Sequence, residues 1–526
     1  LRGTIPYAAR LADDADWTAE PVDLSTVGTP QKRFSWLSPR TLWHSRNNVL
    51  ASALGDPTEN ARRAWVAGQS EGAANDFTIA RDDLGDFSFM VIGDTGEGDV
   101  SQYSTVPAFD AASGGTEFAV IASDVIYPAG DVNEYVEKFF VPYAGYPKPI
   151  YAIPGNHDWL DGLVGFMRHF CGASPPADKF RPPARAKWAR LGLWAHRVVW
   201  RRPRDLDPAT VEAAERLRGE AAAAGPPQPN MYFCIDTPQL RIVAIDTGIL
   251  GRLDYEQGEW LRRVSVGPKP KVLISGKPIW SGSTLSPRRI LSPEGSEQGH
   301  AGLLWPIVRD ANNNYVAMIS GDVHHYERHD VGLPDGRSIQ CVISGGGGAF
   351  MTSTHQIPKI EVGELGEEDW TVYPTRADSL RGYSISLQRK LPRFFRGALR
   401  GIPADEASAI MAQRHGLDLE GELARGERPG SAAGPIRVSR RSRMLARVLY
   451  PPHGFRWFSA SRVSEALDWD EPPLFKNFMR MDLADGRLTM TAYGVTGLQR
   501  DVDSPAVIDR VEIPLRVAEG AVDGNG

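Results

Sequence analysis

The stretch "FSFMVIGDTGEGD" occupies residues 87–99. Its first seven residues are almost entirely apolar, and the run then breaks at Asp94 into acidic and small residues. An apolar run of this length without polar alternation reads as a strand buried on both faces. The same pattern recurs five times. "EFAVIAS" (117–123) precedes "DVIYPAGD", and "PIYAIP" (149–154) precedes "GNHDW". "RIVAID" (241–246) precedes "TG", "KVLISG" (271–276) precedes "KPIW", and "YVAMISG" (315–321) precedes "DVHHY". In layered α/β folds ligands gather beyond the carboxyl ends of the strands, so these loops should converge on one site.

The remaining chain divides around these runs. Residues 1–85 form an N-terminal helical and irregular extension, with helices in "SPRTLWHSRNNVLASALG" and "TENARRAWVAG" and no evident chemistry. Residues 86–355 are the core, interrupted by an excursion at about 172–230 that contains the helix candidate "DPATVEAAERLRGEAAAA". A basic insertion spans 356–470, with "LQRKLPRFFRGALR" and "IRVSRRSRMLARVL" interleaving arginines and apolar residues. Residues 471–526 carry two alternating runs around Asp485-Gly486, a hairpin signal, and are expected to return to the main sheet.

Composition narrows the class. With 526 residues the chain exceeds one ordinary core. Its 42% hydrophobic and 24% charged residues are ordinary for a globular protein. A net charge of −6 gives no global attraction to nucleic acid, and none is expected as partner. The three cysteines, Cys171, Cys234 and Cys341, are too scattered for a disulfide framework or a zinc knuckle. No apolar run is long enough to span a membrane, which favours a soluble, cytoplasmic protein. Because the sequence starts at Leu1, a cleaved leader and secretion stay open.

The strand-end residues form a donor set. Asp94, Asp124 and Asp322 are carboxylates, Asn156 offers an amide oxygen, His324 an imidazole and Tyr127 a phenol. This mixture suits hard or borderline metal ions. Two such ions about 3.5–4 Å apart can clamp a phosphoryl group and supply a hydroxide nucleophile.

Through "GDTG" (93–96), "SDVIY" (123–127), "GNHD" (155–158) and "GDVHHYER" (321–328), the sequence resembles the calcineurin-like metallophosphoesterases, most closely their purple acid phosphatase branch. "AIDTG" and "DYEQGEWLRRV" (254–264) fit the same likeness, which covers about residues 86–350 and the last hairpin. It implies a four-layer α/β/β/α sandwich of two mixed sheets with large insertions, and metal-dependent hydrolysis of a phosphate mono- or diester by metal-activated hydroxide. It also implies roles: Asp94, Tyr127 and His324 on a first metal, Asp124 bridging, Asn156 on a second. His157 becomes the proton donor to the leaving oxygen, with Asp158 orienting it. The cofactors would be one or two ions per chain, drawn from Fe, Mn, Zn or Mg. The substrate would be a phosphorylated small molecule or lipid.

Two positions depart from the family's pattern. Asp322 stands where a metal-binding histidine is expected, and Lys277 stands where the second metal's histidine is expected. A protonated lysine is no ligand; Lys277 can pair with Asp322 or hold a substrate phosphate as a point charge. The second site is left with Asp124, Asn156 and Asp322. That oxygen-only set favours Mg²⁺, Ca²⁺ or Mn²⁺ over Zn²⁺, or gives way to a one-metal enzyme in which Lys277 supplies the missing charge. The same departures support an alternative, a non-catalytic phosphate-ligand binder on a degenerate site.

Three further readings complete the set. Asp131, after Gly130, rivals Asp124 as the bridge but reads better as a turn or cap residue. The glycine-rich "ISGGGGAFMTSTH" (343–355) can approach the site closely and bring His355 into it. The basic insertion reads as a solvated face, or as an element lying on an anionic membrane.

Overall fold

The computed structural model describes residues 20–31, 35–36, 38–69, 76–176, 200–219, 227–293, 300–392, 400–416, 436–450 and 471–515. Residues 177–199 and 220–226 of the excursion, and residues 393–399, 417–435 and 451–470 of the basic insertion, lie outside the described residues.

Two large mixed sheets organise the chain. Their strands are β1 (Thr78–Ala80), β2 (Phe87–Ile92), β3 (Phe118–Ala122), β4 (Ile150–Ile153), β5 (Phe233–Asp236), β6 (Arg241–Ile245) and β7 (Lys271–Ser275). They continue with β8 (Tyr315–Ser320), β9 (Tyr326–Gly332), β10 (Ser338–Ser344), β11 (Trp370–Tyr373), β12 (Lys476–Ala484), β13 (Arg487–Val495) and β14 (Ala506–Pro514). The eight-stranded sheet runs β1-β5-β6-β7-β8-β10-β9-β11, the six-stranded sheet β14-β13-β12-β2-β3-β4. All six apolar runs are strands, and each ends within one residue of its expected boundary.

Side-chain alternation sets the layers. Asn477 and Phe478 are neighbours on β12 and so face opposite ways. Asn477 Oδ1 accepts from Ser344 Oγ of β10 in the other sheet at 3.1 Å. Phe478 packs at 5.5 Å on Phe109 of the helix Val100–Ala112. Across the sandwich, Tyr151 of β4 meets Phe233 of β5 at 5.9 Å. Outside the eight-stranded sheet, Trp260 of the helix Tyr255–Ser265 packs at 4.8 Å on Tyr232. The order is helix, sheet, sheet, helix, the expected four layers.

Segments outside the core join it. The N-terminal extension contributes edge strand β1, and its helix α1 (Thr58–Gln69) buries Arg62 between Asp246 (2.7 Å) and Asp254 (2.6 Å). The 356–470 insertion contributes the opposite edge, β11, paired antiparallel to β9. Helix α2 (Arg440–Leu449) from the same insertion buries Ser442, Leu445, Ala446 and Leu449 and leaves Met444 and Val448 exposed. The C-terminal hairpin joins the six-stranded sheet: β12 pairs with β13 and, on its other side, antiparallel to β2. Asp485 and Gly486 between them both have positive φ (51° and 67°), as a two-residue hairpin turn requires. Cys234 and Cys341 are buried in β5 and β10. No helix among the described residues is long and apolar enough to cross a membrane.

Candidate metal and phosphate centre

The carboxyl ends of β2, β3 and β4 in one sheet, and of β7 and β8 in the other, deliver the predicted residues to one place. Parallel neighbours end on the same side, so Asp94, Asp124 and Asn156 follow consecutive strands. Lys277 and Asp322 arrive the same way from β7 and β8. The backbone turns sharply here: Asp94 and Asp322 both sit at positive φ, 54° and 70°. Gly155 is required by close approach, since a Cβ there would lie 2.1 Å from Asp124 Oδ1.

Three donors converge. The Tyr127 hydroxyl donates to Asp94 Oδ1 at 3.0 Å and stands 3.2 Å from His324 Nε2. His324 Nδ1 lies 2.8 Å from the Phe350 carbonyl. A carbonyl only accepts, so Nδ1 carries the proton and the Nε2 lone pair faces Asp94 and Tyr127. Burial holds the His324 pKa down at about 3, which keeps the ring in its ligating form. Asp94 Oδ2 accepts from the Asp322 amide at 2.8 Å. Burial, with Asp124 and Asp322 nearby, pushes the Asp94 carboxyl well above the usual carboxylate range. Asp124 is also raised by burial; His157 opposes the shift and Asp322 adds to it.

A cation fits this corner. Buried carboxylates raised chiefly by burial gain from a neighbouring cation, and a neutral imidazole and a phenol complete a mixed N/O donor set. Among the described residues no three His, Cys, Asp or Glu side chains form a ready ligand set; the convergent trio owes its third member to a phenol. The second position differs. Lys277 Nζ donates to Asn156 Oδ1 at 3.1 Å and also bonds Asp322 Oδ1. Two of the three side chains expected on a second metal, Asn156 and Asp322, are therefore engaged by an ammonium, and they do not fit a second cation as they stand.

His157 is half-buried beside this pair. Its amide donates to Asp124 Oδ1 at 2.7 Å, and its Nδ1 lies 2.8 Å from the Pro128 carbonyl. That carbonyl, and not Asp158, holds the ring. Asp158 instead accepts from the Val125 and Gly155 amides, both at 3.0 Å, and from the Tyr135 hydroxyl at 3.3 Å. Backbone amides of the two flanking loops hold the carboxylate that the resemblance assigns to the imidazole. Asp158 fixes the loops and reaches the ring only through them.

The rivals fall elsewhere. Asp131 pairs with Arg201 (2.9 Å) and Arg204 (3.0 Å) and caps its own turn through the Asn133 amide. The glycine-rich loop does approach: Ala349 N donates to the Asp94 carbonyl at 3.0 Å, and a Cβ at Gly348 would meet the Thr95 carbonyl at 1.9 Å. His355 turns away from the site. Its Nδ1 lies 2.9 Å from Ser379 Oγ and its Nε2 3.4 Å from the Leu449 carbonyl, both in the basic insertion. His325 packs on buried Glu327 at 3.1 Å.

Two contributors escape the sequence reading. Trp36, from the extension, packs against His157 (5.1 Å), Tyr127 (5.7 Å) and Phe350 (6.0 Å). Glu97 is buried, and its Oε1 accepts from both the Trp36 indole N–H (3.3 Å) and the Phe350 amide (3.2 Å). A lone tryptophan in an irregular segment carries no periodicity. The acidic Glu97 within "DTGEGD" was the one available hint.

The chain is similar to known proteins over part of its length. Residues 87–326 match the family model of the calcineurin-like phosphoesterases. No curated protein matches the chain. Among solved structures, the purple acid phosphatase PPD1 from yellow lupin (Lupinus luteus) seeds is 10% identical with a TM-score of 0.36, covering 82% of this chain and 54% of its own. The chain thus spans about half the length of that phosphatase. GAP50, the anchor in the inner membrane complex of Plasmodium, is 13% identical with a TM-score of 0.31, covering 54% of this chain and 76% of its own. PhoD is 10% identical with a TM-score of 0.32, covering 84% and 73%. Residues 87–326 are thus the part of the chain that is similar to the calcineurin-like phosphoesterases.

Proposed function

We propose that the protein hydrolyses a phosphate ester at a centre with one resident cation and one built-in ammonium. Asp94, Asp124, Tyr127 and His324 would hold the cation. When bound, it would lower the pKa of a water toward neutrality and polarise a phosphoryl oxygen. Lys277 takes the second cation's place as a point charge, anchored by Asn156 and Asp322 and directed at a phosphate oxygen. His157 serves as the acid. With Nδ1 committed to Pro128, Nε2 is the atom left to pass a proton to the leaving oxygen as its bond to phosphorus breaks. Burial of Asp94, Asp124 and Tyr127 keeps bulk water from this chemistry. The substrate class is a phosphorylated small molecule or lipid headgroup.

The observation that carries this reading is the Lys277 ammonium on Asn156 and Asp322. Elemental analysis of chelator-free protein, paired with hydrolysis of an aryl phosphate, tests it. About one metal per chain with turnover is expected, and His157→Ala should lower kcat by about 10²–10⁴. Two metals per chain would overturn the single-cation form. No metal and no turnover, even with Mn²⁺ added, would overturn the enzyme and leave a phosphate-ligand binder.

A further inference from the structure

The Pro128 carbonyl fixes one atom of the His157 ring and leaves rotation about that bond to be restrained by packing. Two rings supply it: Tyr127 at 4.8 Å and Trp36 at 5.1 Å between centroids. Tyr127 is already committed to Asp94 and His324. Trp36 contributes no donor to that centre. It also lies apart from the main core, in a small cluster with Tyr127, Ala349 and Phe350. Its own orientation is set by the indole N–H on Glu97 Oε1, the atom that also receives the Phe350 amide. Phe350 in turn presents its carbonyl to His324 and its ring edge-on at 4.6 Å. A single buried carboxylate thus ties together the two walls that face the two histidines. Trp36 and Phe350 both lie outside residues 87–326, so both walls come from segments beyond the residues that match the family model.

We propose that Trp36 is a positioning residue for His157, held by Glu97, and that the N-terminal extension is thereby part of the active site. This rests on the reading of His157 as the acid to the leaving oxygen. Its signature is selective. A displaced imidazole matters most when the leaving oxygen needs a proton and least when it departs as a stable anion. Tighter packing or general stability would move both cases together.

The experiment compares full-length wild type, Trp36→Ala and Trp36→Phe on 4-nitrophenyl phosphate and phenyl phosphate, with Mn²⁺ present. For Trp36→Ala, kcat on phenyl phosphate should fall about 10–100-fold. On the nitrophenyl ester it should fall about 3-fold or less, with KM nearly unchanged for both. Trp36→Phe, which keeps a ring against His157, should recover most of the loss. An equal loss on the two esters, or none, would overturn the proposal. Should Trp36→Ala fail to fold, Trp36→Leu reads the same selectivity; failure of both to fold would assign Trp36 a structural role instead. A folded wild type inert toward both esters would overturn the phosphoesterase reading itself, and this proposal with it.

Discussion

Lys277 and Asp322 form an ion pair at the mouth of two neighbouring strands, β7 and β8, with Asn156 as the ammonium's second acceptor. The two residues that depart from the pattern of the resemblance are therefore partners: the aspartate supplies the charge that holds the lysine. Lys277→Met should lower kcat/KM by about 100-fold while metal content stays near one per chain. Lys277→His should raise the metal content toward two. Elemental analysis of both variants beside the wild type checks the pair of outcomes.

Tyr127→Phe removes the phenol that reaches both Asp94 and His324 and leaves the rings around it in place. Affinity for Mn²⁺ should weaken about 10–100-fold, read by titration calorimetry on chelated protein. An unchanged affinity would show that the phenol does not ligate.

Arg62 is buried between Asp246 and Asp254, and Asp246 also accepts from the Trp159 indole at 3.0 Å. Arg62→Met leaves two buried carboxylates without their cation. Urea unfolding should show a loss of about 3–5 kcal/mol. Helix α1 should detach before the sheets unfold.

His355 is buried and neutral, its pKa pushed down from 6.5 to about 4, chiefly by burial. A histidine lowered on folding contributes stability that is fully present above pH 6.5 and is lost as pH falls toward 4. Between pH 7 and pH 5 this group should cost the wild type about 2 kcal/mol. His355→Gln should be less stable at pH 7 but should lose about that much less on acidification, measured by denaturant unfolding at the two pH values.

Much of this was legible because it is repetitive. Six apolar runs ending in polar residues give six strands, and five of them deliver residues to one site, since parallel strands ending on one side leave the loops little choice. The Asp485-Gly486 turn gave the hairpin, because few residue pairs accept two left-handed conformations. Partners that depend on backbone direction were not legible. Asp158 follows His157 directly, yet its carboxylate turns to the Val125 and Gly155 amides while the Pro128 carbonyl takes the ring. Trp36 and Glu97 lie 61 residues apart in a contact that no local pattern announces. His355 followed the glycine-rich loop in sequence but went to Ser379 and Leu449, because the insertion packs behind that loop.

The pairing of β2 with β12 joins Ser88 to Asp482 through a 2.6 Å hydrogen bond between residues 394 apart in the chain. At about 5–20 residues per second on the ribosome, roughly 20–80 s separate the synthesis of these two strands. Throughout that interval one side of β2 is an open edge, available to wrong strands. The six-stranded sheet, and with it the loop that carries Asp94, is completed only when the last hairpin emerges.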